Sequence, residues 1–333
     1  MKIQRALPIP TLGLLTLSAM GAVSMLTSMQ SVSSPQPVSV LNREQKAILD
    51  LMSVVWVDDG MGGTVKTLRI EGVNLQLVNG TGTTGNSGNG RGNLILGYNE
   101  IDVDGQNRTG SHNLVLGRYN DYLAHSGIVA GQRNATTNEF TSVLGGSGNT
   151  AAANNSVIVA GNSGVTNGNG SAILSGSQNQ TSSPHSAVVG GTNNAALAGT
   201  SVVVAGGGNQ ALGPGSAILG GQNNTTEGNS SIIAGGQNNS TSAGAFFGSI
   251  LGGRDNLVDN YRTTVAGGVF NEALALDSTV LGGARNEAGG EKAVVVGGEF
   301  NTAFGNFSVV GGGFQRATAD LHDWAAGALM QDL

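Results

Sequence analysis

A repeat of about 15 residues runs through most of this chain and constrains its fold more than any other feature. Each unit contains a glycine followed three residues later by an asparagine, and successive asparagines are 14 to 17 residues apart. The series begins at Asn120, is interrupted by Gly164 and ends at Gln315, with a degenerate unit, Leu94–Asn99, before it. Self-similarity over about fifteen units predicts a coil of stacked, nearly identical rungs.

Short apolar runs recur at the same place in every unit. Val, Ile or Leu lies six residues before the asparagine, and the next residue is usually apolar too, as in Val203–Val204 and Ile218–Leu219. Fifteen residues accommodate two short strands and two corners. The fold class predicted is therefore all-β: a single-stranded parallel β-roll or β-solenoid with rungs of about 15 residues, preceded by a short helix and a β-hairpin cap.

The glycine and the asparagine of each unit are predicted to shape a corner of the rung. A position that accepts only glycine indicates either positive φ or a backbone with no room for a Cβ atom. Asparagine and glycine are the residues that best tolerate the left-handed conformation, so the asparagines are predicted to form structural turns. The turn residues assigned are Asn134, Asn149, Asn194, Asn209, Asn224, Asn271, Asn286 and Asn301.

The two adjacent apolar residues of each strand predict an interface between chains. Neighbouring residues of a strand point to opposite faces, so one apolar row fills the coil and the other lies bare along its length. A long exposed apolar strip normally marks an association surface. Homo-oligomerisation through this face is the expected consequence.

The rungs resemble those of a known family of bacterial surface proteins. Ser142-Val143-Leu144-Gly145-Gly146, with Asn149 and Ala151, and Ser308-Val309-Val310-Gly311-Gly312 are similar to the head repeats of YadA-like trimeric autotransporter adhesins. The resemblance covers about two thirds of the chain and implies a left-handed parallel β-roll, three chains side by side, and adhesion at the surface of a Gram-negative bacterium. The residues after Gln315 contain neither the coiled-coil stalk nor the membrane anchor of those adhesins.

The flanking sequence supplies the remaining divisions of the chain. Lys2 and Arg5 precede an apolar stretch with small residues, which is typical of an export signal. Asn42 and Gln45 form a capping-box pattern, and Leu41, Ile48 and Val55 lie seven residues apart. The predicted segments are 1–34, a signal peptide or uncleaved anchor; 38–57, a short amphipathic or coiled-coil helix; 58–92, a β-hairpin cap and a flexible Gly-rich linker; 93–316, the β-roll; and 317–333, a C-terminal cap.

The composition argues against several chemistries. The chain has no cysteine, 15 Lys and Arg residues and a net charge of −6, so it lacks thiolate chemistry and the basic surface that nucleic acids require. His112, His125, Asp102, Asp104, Tyr98, Tyr119 and Tyr122 cluster in the first rungs, but their spacing fits no ligand motif. Polar capping of an exposed end explains this cluster as well as a metal or hydrolytic site does. No catalytic, metal or cofactor residues are assigned.

A candidate ligand-contact stripe lies in the last rungs, just before the corner asparagines. Phe270, Arg285, Phe300 and Phe314 occupy this position, one per rung, which would place Arg285 between aromatic faces. The stripe would contact a glycan or a matrix protein, or else pack between chains or under the C-terminal cap. We therefore expect an exported, non-catalytic, adhesin-like structural protein that forms a homotrimer and has no small-molecule substrate. The alternative is a β-helix protein that binds or degrades polysaccharide.

Overall fold

The computed structural model describes residues 41–85 and 88–327. The chain divides into two compact units, Met1–Leu75 and Gln76–Leu333. The predicted export signal, residues 1–34, lies outside the described residues. Within the described part of the chain, no helix has the length and apolar character needed to cross a membrane.

The first unit contains the short helix α1, Arg43–Leu49. The predicted capping box is confirmed: Asn42 Oδ1 accepts a hydrogen bond from the Gln45 N–H at 2.7 Å, and Gln45 Oε1 accepts one from the Asn42 N–H at 2.9 Å. These two bonds satisfy backbone donors that the first turn of a helix leaves free. Residue 49 is the last of the helix, so the prediction that it continues to residue 57 is wrong.

A β-hairpin follows the helix. Strand β1, Met52–Asp58, pairs antiparallel with β2, Thr64–Ile70, and Val55 lies opposite Thr67. The hairpin therefore begins inside the segment predicted to be helical, because the β-branched residues of β1 favour extended backbone. Residues 71–85 form no further strand.

The second unit is a parallel β-solenoid, as the repeat predicts. Its first sheet has sixteen strands and its second has fourteen, and each strand pairs in parallel with the equivalent strands of the neighbouring rungs. From Leu114 onward the chain alternates between the two sheets, so each complete rung contributes one strand to each sheet.

The strands of the first sheet are Leu94–Leu96, Leu114–Arg118, Ile128–Gln132, Ser142–Val143, Val157–Ile158, Ala172–Ile173, Ala187–Val188, Val202–Val203, Ala217–Ile218, Ile232–Ile233, Ser249–Ile250, Thr264–Val265, Thr279–Val280, Val294–Val295, Val309–Val310 and Trp324–Ala325. The strands of the second sheet are Asp121–Tyr122, Ala135–Thr136, Thr150–Ala151, Val165–Thr166, Gln180–Thr181, Ala195–Ala196, Gln210–Ala211, Thr225–Thr226, Ser240–Thr241, Leu257–Val258, Glu272–Ala273, Glu287–Ala288, Thr302–Ala303 and Ala317–Thr318.

The interior of the solenoid is thin and regular. In every first-sheet strand from Leu114–Arg118 to Val309–Val310 one Val or Ile is buried, as at Val203 and Ile218, and it packs in the same core as small residues of the second sheet, such as Ala211. Buried hydroxyls pair across the same interior, for example Thr226 Oγ1 to Ser216 Oγ at 2.9 Å. Burial of one Val or Ile side chain contributes roughly 1.5–3 kcal/mol, and this contribution recurs at each rung.

The invariant glycine of each rung is required by its conformation and by its neighbour. Gly221 has φ +91°, and a Cβ atom placed there would lie 2.1 Å from the carbonyl oxygen of Gly236 on the next rung. The predicted role of this position is confirmed. Two positions differ: Gly161, in the rung that carries Gly164 in place of asparagine, has φ outside the left-handed region, and a Cβ atom at Gly312 would meet no neighbouring rung within 4 Å.

The roll extends beyond its predicted limits at both ends. Trp324–Ala325 pairs with Val309–Val310, so the segment predicted to be a separate cap after residue 316 continues both sheets. Before the first strand, the predicted flexible linker is bound to the rungs: the Asn89 N–H donates to Ser111 Oγ at 3.1 Å, and the Gly90 N–H donates to the Thr109 carbonyl at 2.9 Å.

Candidate functional site

The predicted turn asparagines are buried and form a ladder inside the roll, interrupted only where Gly164 replaces the asparagine. In a typical rung, Asn209 Nδ2 donates to the carbonyls of Ala205 at 3.0 Å and of Gly221 at 3.1 Å, while its Oδ1 accepts from the Asn224 N–H at 3.0 Å. Equivalent bonds are made by the other asparagines of the series. Each asparagine thus satisfies the corner backbone of its own rung and of the next one.

The left-handed residue of this corner is the one before each asparagine, so the predicted conformation of the asparagines is wrong. Asn193, Asn223 and Phe270 have φ values of 56°, 54° and 56°, whereas Asn194, Asn224 and Asn271 do not have positive φ. The asparagine side chain needs an inward direction to reach the backbone carbonyls. The preceding residue makes the turn and points its side chain outward.

These outward residues form the predicted stripe at one edge of the roll. The guanidinium carbon of Arg285 lies 5.3 Å from the ring centroid of Phe270 and 5.3 Å from that of Phe300. Arg285 is therefore held between two aromatic rings, as the spacing predicts. The rings are 43% and 40% exposed, which leaves them accessible from outside this chain.

Phe314 belongs to the stripe by contact but not by register. Its partner across the ladder is Glu299, and the residue equivalent to Phe300 is Gln315, with φ 50°. The Arg316 N–H accordingly bonds to Asn301 Oδ1 at 2.9 Å, so Arg316, not Gln315, takes the asparagine position. The Phe314 ring still meets Phe300 edge-on at 5.8 Å.

The outer apolar row of the first sheet is exposed along the roll. Leu219, Leu251 and Leu281 are 45%, 57% and 49% exposed. The other members of this row that are also exposed by more than a third are Leu144, Val159, Leu174, Val189 and Val296. We call these eight residues the outer row.

A column of glycines runs beside the outer row. Gly220, Gly252, Gly282 and Gly297 each follow a residue of the row, and beyond the two adjacent residues no heavy atom of the described chain lies within 4 Å of the place where a Cβ would stand. Their φ values are outside the left-handed region. Neither conformation nor crowding within the described chain accounts for glycine here, in contrast to Gly221 and its equivalents. Gly235 and Gly267 share these properties.

The polar cluster of the first rungs is divided among separate contacts. His125 is buried, lies 3.4 Å from Glu139 and packs edge-on against Phe140. Tyr122 is buried, and its hydroxyl accepts from Asn99 Nδ2 at 3.1 Å.

The remaining members of the cluster also have separate partners or lie exposed. Asp102 binds Arg133 through Nε at 2.7 Å, and Arg133 in turn lies over the Tyr119 ring at 5.2 Å. Bonds from the Val103 N–H and from Arg133 lower the pKa of Asp102. His112 accepts from the Asn79 N–H at 3.3 Å, while Tyr98 and Asp104 are exposed.

The structure does not bring the cluster together as a ligand set. In residues 41–85 and 88–327, no group of three or more His, Asp or Glu side chains is placed to hold a metal ion. A cavity of about 410 Å³ adjoins His112 and Asn79 and is otherwise lined mainly by Gly, Thr and aliphatic atoms.

A second column of side chains, which the sequence did not bring to attention, lies at the opposite edge of the roll. It comprises Phe247, Arg262, Asp277, Lys292, Phe307 and His322, all with positive φ, and we call it the edge column. Its members are spaced 15 residues apart, so the period that revealed the asparagines could also have revealed them. They were overlooked because no single residue type repeats.

Comparison with known proteins adds no assignment for this chain. No protein-family model matches it, and no curated protein matches its sequence.

Proposed function

We propose that this protein is an exported, non-catalytic structural rod that assembles as a homotrimer at the bacterial surface and presents adhesive side chains along its edges. The parallel solenoid supplies a rigid support on which side chains recur at intervals of ~4.8 Å. Export follows the signal-like N-terminal segment, and surface display and the number three follow the likeness of the rungs to the heads of trimeric adhesins. The buried ladders of the roll supply rigidity rather than chemistry.

The single observation that supports assembly is the pairing of the outer row with the glycine column. Large apolar side chains such as Leu251 stand next to glycines such as Gly252, and the glycine column continues through the six consecutive rungs from Gly220 to Gly297. An extended exposed apolar strip is characteristic of an interaction surface. Glycines without an intrachain cause are explained if the backbone of a second copy, or its outer row, packs closely against them.

The stripe around Arg285 is the proposed contact surface for a glycan or a matrix protein. Its rings are held by cation–π and edge-on contacts within one chain, so their geometry does not require a neighbouring chain. Preformed aromatic groups lose little conformational freedom on binding, which favours recognition.

Assembly can be tested by adding side chains to the glycine column. The double variant Gly252→Gln/Gly267→Gln introduces bulk where each chain has open space, so the fold of the single chain is expected to persist. Light scattering of the full chain should give the mass of a trimer for the natural sequence and of a monomer for the variant. Circular dichroism reports whether the solenoid is retained.

Gly199→Gln is the matched control. Gly199 also lacks positive φ, and a Cβ atom placed there would meet only the Pro184 carbonyl, at 3.9 Å, but this glycine lies at the opposite edge. The control variant should remain trimeric. A monomeric natural protein, or a double variant that still forms trimers, contradicts the proposed interface.

A further inference from the structure

The edge column is concentrated in the C-terminal rungs of the roll. Between Asn155 and Ser230 the equivalent corner positions carry only Asn, Gly, His, Thr and Ser. From Phe247 onward they carry aromatic and charged residues at every rung. The stripe around Arg285 occupies the other edge of the same rungs. A requirement for packing at the end of the roll would explain the last rung but not the five before it.

The column begins where the period stretches to 17 residues. Thr226 still pairs with Thr241 at the ordinary spacing, whereas the next pair, Ile233 with Ile250, is two residues wider, so the two extra residues lie in the corner between Thr241 and Ser249. Ala245 anchors this enlarged corner in the core and is fully buried. Phe246 and Phe247, which follow it, remain 41% and 54% exposed. The insertion therefore projects apolar rings into solvent.

Contacts between neighbouring rungs fix the side chains of the column. The rings of Phe247 and Tyr261 meet edge-on at 5.6 Å, and the guanidinium of Arg262 lies 4.9 Å from the centroid of Tyr261. Arg262 also makes two hydrogen bonds to Asp277, at 2.6 and 2.8 Å. Aromatic groups, a donor fork and a carboxylate are thus held in one fixed arrangement.

The same pattern continues toward the C-terminal side. Lys292 Nζ lies 4.7 Å from the centroid of Phe307 and 3.1 Å from the carboxylate of Glu291. The charges of the column are therefore paired: Arg262 with Asp277, and Lys292 with Glu291. A highly charged partner would have to break these pairs, so the surface favours one without net charge.

The backbone at this edge is not available to a peptide strand. The N–H groups of Arg262, Asp277 and Phe307 donate to carbonyls of the preceding rung at 2.8 to 3.0 Å. Addition of a peptide strand needs a row of free backbone groups at a sheet edge. The corner instead offers only side chains: ring faces and edges, a guanidinium, an ammonium and carboxylates.

We infer that the edge column is a binding surface for an extended, uncharged polysaccharide. The apolar C–H faces of sugar rings pack on exposed aromatic rings, and sugar hydroxyls bond to the Arg262–Asp277 and Lys292–Glu291 pairs. A polymer fits because the column repeats with the rung spacing of ~4.8 Å, so that successive sugars meet successive rungs. This site lies within one chain and does not depend on assembly.

The test uses polysaccharides set into native gels: a neutral β-glucan, anionic alginate and cationic chitosan. The full chain should be retarded by the neutral glucan more than by either charged polymer. In Phe247→Asn/Phe307→Asn the affinity for the glucan should fall roughly tenfold, which corresponds to the loss of about 1.4 kcal/mol. Asn155 occupies the same corner position with φ 59°, so asparagine suits this backbone and the fold should be kept.

Phe140→Asn is the matched control. Phe140 has the same corner position, φ 57° and 53% exposure, but it lies outside the C-terminal rungs. Its replacement should leave retardation by the glucan unchanged. The inference is overturned if the glucan does not retard the natural chain, if alginate or chitosan retards it more, or if Phe140→Asn weakens binding as much as the double variant. Light scattering of each variant separates a lost site from lost assembly.

Discussion

The side-chain oxygen of Asn209 accepts hydrogen bonds from both the backbone N–H and the side-chain amide of Asn224, at 3.0 and 3.2 Å, one rung away. The two residues are fully buried. Repeated along the roll, this relationship joins the corners of successive rungs through side chains as well as through the sheets. The ladder thereby fixes the register between rungs.

Replacing Asn209 should destabilise the roll substantially. Asn209→Ala removes the donor to Ala205 and Gly221 and leaves the Asn224 N–H without its acceptor. Buried groups left unpaired in this way are expected to lower the free energy of unfolding by about 2–4 kcal/mol. Denaturant unfolding followed by circular dichroism measures the change. Gln210→Ala, at the exposed neighbouring position, should alter stability by no more than about 0.5 kcal/mol.

The invariant glycines should tolerate no side chain. In Gly221→Ala the new methyl group would lie 2.1 Å from the Gly236 carbonyl oxygen, and φ is +91°. The adjacent rung must shift, so we expect a loss of at least about 3 kcal/mol or a failure to fold. Thermal unfolding of Gly221→Ala and of the control variant Gly199→Ala measures the difference in stability. Equal stability of the two variants would contradict the requirement.

The gap in the asparagine ladder predicts a stabilising substitution. The Gly164 N–H donates a hydrogen bond to Asn149 Oδ1 at 2.9 Å. Because glycine has no side-chain oxygen, residue 164 offers no such acceptor to the Asn179 N–H. Gly164→Asn should restore the missing bonds and raise the free energy of unfolding by about 1 kcal/mol.

Gly164→Ala separates two causes of that gain in stability, the new ladder hydrogen bonds and the reduced freedom of the unfolded chain. Alanine also restricts the unfolded chain but cannot complete the ladder. The asparagine variant should be the more stable of the two in denaturant unfolding. A Cβ atom added at residue 164 would lie 3.2 Å from Asn149 Oδ1, so this side chain must yield slightly. If Gly164→Asn is no more stable than Gly164→Ala, the ladder bonds do not contribute as stated.

Two stacked glutamates should make stability depend on pH. Burial and then the facing carboxylate of Glu272 raise the pKa of Glu287 above its ordinary value of 4.5. The folded protein therefore holds this proton more tightly than the unfolded chain does. The resulting contribution to the free energy of unfolding is fully present below the pKa that Glu287 has in the unfolded chain, and it is lost as pH rises through the pKa that Glu287 has in the folded protein.

Glu287→Gln should remove this dependence. At neutral pH the variant should be more stable than the natural chain by about 0.5 kcal/mol, because solvent screens a partly exposed pair. The difference should vanish below the unfolded pKa. Denaturant unfolding across the acid range measures it, with Glu227→Gln as the control for loss of one negative charge. A difference that persists or grows in acid would contradict the assignment.

The stripe around Arg285 should be separable from assembly. Phe300→Asn combined with Phe314→Ser removes both edge-on rings, and asparagine already occupies the position of Phe300 at Asn223 and Asn238. Adhesion of the full chain to glycan-coated or collagen-coated surfaces should fall at least about tenfold, while light scattering still gives a trimer. Phe304→Ser, which removes an exposed ring outside the stripe, should retain adhesion. Loss of the trimer would show instead that these rings pack between chains.

Much of the fold could be predicted from the spacing of residues along the chain. Rows of Val, Ala and Gly at a fixed period identify the strands, the buried positions and the close approach of rungs, because stacking repeats each environment. Arg285 between Phe270 and Phe300 follows from the same period. The start of the hairpin could not be predicted in this way, because Met52 and Val55 fit the apolar stripe of a helix as well as they fit a strand.

The order of amino acids is enough to establish that the chain coils in rungs of about 15 residues, which side chains fill its interior, and where glycine is indispensable. The folded chain was needed to show that Asn209 turns inward while its predecessor takes the left-handed conformation, that Phe314 lies beside Glu299 in the ladder rather than beside Phe300, and that the edge column exists as one surface. The physical reason is register. Spacing counts residues along the chain, whereas hydrogen bonds between rungs determine which residues stack and which corner absorbs an extra one.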